Sequence, residues 1–122
     1  MKKVLFIVMM AVATIGSASA VDIAKSEVFV KCNNERVFNS LVKYLEADSY
    51  QSAQLKEVFA VTEVAIKNAI QKGDSEKLEK AFSYNLGGAK RILSKDQYKK
   101  YLRVINLSYH NSNAALLAQN NQ

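Results

Sequence analysis

No proline occurs in the 122 residues, and glycine occurs only four times. Nothing in the chain forbids long helices, and little in it supplies the tight turns that a sheet requires. Apolar residues recur at three- and four-residue spacing, the period of an amphipathic helix and not the alternation of a strand. The expected fold is all-α, with about four helices in an antiparallel helical bundle or in bent helical hairpins.

The helices can be placed along the chain. Glu35 to Ala47 is expected to form the first, capped by Asn33 or Asn34, with Val37, Phe38, Leu41, Val42 and Leu45 on one side. Asp48 and Ser49 break the pattern and cap the second, Tyr50 to Lys72. Its Leu55, Val58, Phe59, Thr62, Ala65, Ile66, Ala69 and Ile70 fall in one arc opposite Lys56, Glu57, Glu63, Lys67 and Asn68. At 1.5 Å per residue this helix is about 35 Å long, against a radius of gyration of about 13 Å for a compact 100-residue domain, so an elongated shape or a homodimer is expected.

Gly73 ends the second helix and Asp74-Ser75 opens the third, which carries Leu78, Ala81, Phe82, Leu86, Ala89, Ile92 and Leu93. Gly87-Gly88 lies within it and predicts a bend, a break or a close helix crossing. Ser94-Lys95-Asp96-Gln97 fits a capping box for the fourth helix, with the Ser hydroxyl accepting from the Gln97 amide and the Gln side chain reaching back. Val21 to Lys31 is ambiguous: Val28, Phe29 and Val30 suit either an extended arm or a first helical turn. Asn111 to Gln122 is uncharged and rich in Asn, so the last helix is expected to fray.

Residues 1–20 have the three parts of a secretory signal peptide: basic Lys2 and Lys3, an apolar stretch from Val4 to Ala13, and Ala18-Ser19-Ala20 as a cleavage site. The expected product starts at Val21, with residues 21–33 as an arm and 34–122 as a single helical domain with a frayed tail. Its expected location is periplasmic or secreted, in a bacterial cell. No later apolar run is long enough to span a bilayer, so the protein is not expected to be membrane-embedded.

Basic residues outnumber acidic ones, 17 to 11. The excess is local. Residues 74–103 hold Lys77, Lys80, Lys90, Arg91, Lys95, Lys99, Lys100 and Arg103 against Asp74, Glu76, Glu79 and Asp96, and the rest of the chain after Ala20 is balanced. Such a patch steers acidic partners, anionic lipid or unfolded acidic segments. Export argues against nucleic acid as the partner.

Catalytic and metal chemistry find little to work with. Cys32 is the only cysteine and His110 the only histidine, so one chain cannot assemble the usual three or four N/S ligands of zinc. Neither residue has a Gly-rich elbow or an orienting acid near it in sequence, and no phosphate-cradling glycine loop exists. No enzyme activity and no cofactor are expected. Cys32 either lies buried as a small hydrophobe or joins two chains, and burial is the expectation.

On the fourth helix Tyr98, Tyr101, Leu102, Ile105 and Tyr109 share a stripe beside Lys95, Lys99, Lys100 and Arg103. With Arg91 these residues form the candidate protein-binding surface, in which cationic heads capture a flexible chain and aromatic area then holds it.

Leu93-Ser94-Lys95-Asp96-Gln97 also resembles the L-T-x-x-Q motif of the small periplasmic helical proteins of the Spy/CpxP family, with Ser in place of Thr at the cap. The resemblance covers mainly residues 50–105. It implies an ATP-independent chaperone forming a cradle-like homodimer, or an envelope-stress regulator. The family commonly carries the motif twice; here the earlier copy is the degenerate Asp48-Ser49-Tyr50-Gln51, with Leu45 upstream. The His/Met clusters of the family's metal-sensing branch are missing, which disfavours metal sensing. The expected function is that of a non-enzymatic binding protein of this kind, acting on unfolded or folded envelope proteins. The alternative is a helical partner-binding or inhibitor protein that recognises one folded envelope or secreted protein.

Overall fold

The structure is a computed structural model that describes the backbone of residues 20–120 and the side chains of residues 24–109. The predicted leader before Ala20 lies outside the described residues. Among the described residues five helices follow in order: α1 (Ala20–Cys32), α2 (Glu35–Leu45), α3 (Ser49–Lys72), α4 (Ser75–Ile92) and α5 (Lys95–Asn120). The all-α expectation holds, with one helix more than the four read from the sequence.

The additional helix is α1, on the segment whose pattern was ambiguous. Ala24, Val28 and Cys32 recur every four residues and, with Phe29, turn inward. The adjacent Val28-Phe29-Val30 run blurs that period in the sequence. α1 lies chiefly along α5 and also touches α3 and α2. The Phe29 ring stacks on Phe82 of α4 at 5.3 Å between centroids.

The helix ends follow local chemistry. Asn34 caps α2 by accepting from the Arg36 amide at 3.0 Å. α2 stops at Leu45, two residues before the expected Ala47, because Glu46 adopts a left-handed conformation (φ 55°, ψ 39°) and its amide turns back to the Lys43 carbonyl. Gly73 closes α3 in the same region (φ 64°), with its amide on Ile70 and the Asp74 amide on Ala69. Asp74 then caps α4, accepting from the Lys77 amide at 3.0 Å.

α3 and α4 make the most extensive helix pair. They run antiparallel: Thr62 meets Asn85, while Val58, one turn earlier, meets Gly88, about one turn later. Of the three outcomes expected at Gly87-Gly88, the close crossing is the one found, since α4 is continuous from Ser75 to Ile92. A Cβ at Gly88 would lie 3.0 and 3.1 Å from the two Val58 methyls, whereas one at Gly87 would meet open space. The predicted apolar faces of α2, α3 and α4 all point inward, with Phe38, Leu41, Leu45, Leu55, Phe59, Ile66, Leu78, Ala81, Phe82 and Ala89 buried.

Candidate functional site

At one end of the molecule two helix junctions meet. The α2–α3 junction carries Asp48 and Gln51; the α4–α5 junction carries Ser94 and Gln97. Asp48 accepts from the Gln51 amide at 2.7 Å and the Gln51 Oε1 accepts from the Asp48 amide at 3.0 Å. Ser94 and Gln97 repeat the arrangement at 3.2 and 2.9 Å. Both are capping boxes. The box expected at Ser94, under Leu93, is therefore present, and the degenerate copy at Asp48 is equally complete.

The two glutamines also bond to each other. Nε2 of Gln51 donates to Oε1 of Gln97 at 2.8 Å, and Nε2 of Gln97 donates to Oε1 of Gln51 at 3.2 Å. Each then reaches across the junction: Gln51 donates to the Ile92 carbonyl at 3.2 Å, and Gln97 to the Leu45 and Glu46 carbonyls at 3.2 and 3.3 Å. Thus one amide serves the N-terminus of its own helix and the unpaired C-terminal carbonyl of the opposite junction. Two side chains thus bond to backbone groups at four helix ends.

The proposed tyrosine surface is corrected by burial. Tyr101 is fully buried (0% exposed) and Ile105 nearly so (8%), so these two residues belong to the core and present nothing to a partner. The Tyr101 ring stands edge-on to Phe59 and stacks with Tyr98. Its hydroxyl donates to Asn85 Oδ1, Asn85 Nδ2 donates to Thr62 Oγ1 at 3.2 Å, and Thr62 closes the chain on the Val58 carbonyl at 2.6 Å. This polar line joins α5, α4 and α3 inside the core, and no buried side-chain polar atom among the described residues lacks a partner. Tyr98, Leu102 and Tyr109 are half-buried. The Lys25 ammonium of α1 approaches the Tyr109 ring at 6.0 Å and the Phe82 ring at 5.9 Å.

The cations fare as expected. Arg91, Lys95, Lys99 and Arg103 are exposed. Lys100 is half-buried, 3.8 Å from Glu46 and 5.7 Å from the centre of the Tyr44 ring. Exposed aromatic area at this end comes from Tyr44, 46% exposed and in contact with Lys100, and from Tyr50, 72% exposed and next in sequence to the Gln51 that bonds Gln97, and not from Tyr101 of the α5 stripe.

Cys32 is buried, which settles it as a small hydrophobe within this chain. Burial pushes its thiol up to about 11, the nearby Lys31 charge offsetting part of the rise. The Tyr101 hydroxyl is raised by burial above all, and Glu27 is raised for the same reason, with Lys31 pulling it back. A thiol held in this state is a poor nucleophile.

Among the described residues no group of three or more His, Cys, Asp and Glu could hold a metal ion. Among them, too, no helix is long and apolar enough to cross a membrane. A depression lined by Asn34, Glu35, Arg36, Asn39 and Ser40 lies at the N-terminal end of α2, away from the paired junctions. The chain matches no family model, no curated protein and no solved structure.

Proposed function

We propose that the protein is an exported, non-enzymatic helical binding protein, a Spy-like ATP-independent chaperone or envelope-stress modulator. The observation that carries the reading is the pairing of Gln51 with Gln97: the second copy of the motif, degenerate in sequence, is built as the first and bonded to it. Capture is assigned to the exposed cations Arg91, Lys95, Lys99 and Arg103, with Tyr44 and Tyr50 in place of Tyr101 and Ile105 as the apolar contact. A cradle-like homodimer belongs to the same reading, as does an N-terminus at Val21.

The test is aggregation of an unfolded acidic client at low salt. Suppression by the wild type, lost in Lys95→Glu with Lys99→Glu and lost at high salt, is the expected result; no suppression by the wild type defeats the reading. The closed core favours a second reading, a dedicated binder of one folded envelope or secreted protein, because the buried Tyr101 of the stripe is unavailable to hold loose chains. A single stoichiometric partner on pull-down, in place of a broad salt-sensitive set, distinguishes it.

A further inference from the structure

We propose that the outward face of α5 seats the protein on an anionic phospholipid surface. Lys95, Lys99 and Arg103 follow one another at four-residue intervals, so their heads line one side of the helix over about 12 Å. All three are exposed, and none forms an ion pair with another described residue. Leu107, 58% exposed, continues the line one turn beyond Arg103, and the exposed Tyr44 and Tyr50 stand at the end where α5 begins. Basic heads flanked by tyrosine and a leucine are the residue set found at headgroup depth in membranes. Because the basic excess after Ala20 falls within residues 74–103, the field there is lopsided and turns this side of the molecule toward negative charge.

Shape favours a lipid surface over a single peptide seated in register. Such a peptide needs a groove or free backbone donors, which loose electrostatic capture of an unfolded client does not, and α5 offers its cations on a convex helix face whose backbone groups are already paired within the helix. The depression at Asn34 to Ser40 includes none of these cations. A sheet of phosphates needs only a row of positive heads brought within a Debye length. The inference goes beyond the proposed function, since it requires no client protein.

The experiment is vesicle co-sedimentation of the protein in the form that accumulates in the cell. Vesicles of phosphatidylcholine mixed with phosphatidylglycerol are compared with phosphatidylcholine alone. Binding is expected only to the mixed vesicles, and is expected to vanish at about 1 M salt, where the Debye length is about 3 Å. Lys95→Gln, Lys99→Gln and Arg103→Gln together are expected to weaken it roughly 100-fold. A charge-matched control, Lys56→Gln, Lys67→Gln and Lys72→Gln, removes exposed lysines from α3, outside the basic segment, and should bind as the wild type does. Circular dichroism checks that both variants stay helical. Equal binding to neutral vesicles, equal losses in the two triple variants, or capture of polyglutamate but not of anionic vesicles would each overturn the proposal. Aggregation assays contain no lipid, so the chaperone reading stands or fails separately.

Discussion

Tyr101 shows how one residue can have two readings. Its place on a stripe beside lysines is legible in the sequence, but the direction of that stripe is set by Asn85, which shares the inward spacing of Ala81, Phe82 and Ala89 on another helix although its polar side chain gives no sign of burial. Once Asn85 is inside, the tyrosine hydroxyl is its partner and the ring must follow. Tyr101→Phe would leave the Asn85 carbonyl oxygen buried without that donor, at a cost of about 1–3 kcal/mol by chemical denaturation. Cys32 gives a pH signature. Its thiol is raised from an ordinary 9.0 to about 11, so the folded state holds the proton more tightly than the unfolded state does. The associated stability is complete below pH 9 and is lost as pH rises toward 11. Tyr101 acts in the same direction. Denaturation midpoints across that range should fall for the wild type, and Cys32→Ala should remove about 2–3 kcal/mol of the fall.

At the level of the helices, the sequence was readable wherever an apolar stripe met a clear cap. The spans of α3 and α4 follow from Asp48, Gly73 and Asp74, and their buried faces from three- and four-residue spacing. α1 was not readable because three adjacent apolar residues hid its period, and the early end of α2 rests on a left-handed Glu46 that no residue preference predicts. The fray expected from Asn111 onward is not seen in the described backbone, which stays helical to Asn120. Gly87 and Gly88, adjacent in sequence, should respond oppositely to alanine. Gly88→Ala pushes a methyl into a β-branched Val58 with little freedom to rotate, and should destabilise by about 1–3 kcal/mol. Gly87→Ala meets open space and should stabilise by about 0.4–1 kcal/mol, both read from thermal midpoints.

For the whole molecule, the junctions and the charge distribution belong together. Gln51 and Gln97 tie the start of α3 to the start of α5, which fixes α5 with Tyr101 inward and Lys95, Lys99 and Arg103 outward. The cationic half of the candidate site was therefore legible, because charged residues stay wet wherever a helix lies. Its aromatic half was not, because ring exposure depends on contacts between segments remote in sequence. The claim on which this arrangement rests is that the two glutamines act as a pair. A double-mutant cycle of Gln51→Ala and Gln97→Ala, read by urea denaturation, tests it most directly. The account predicts that each single change costs about 1–3 kcal/mol and that the double change costs less than their sum, with a coupling of about 0.5–3 kcal/mol. Strictly additive losses would contradict it.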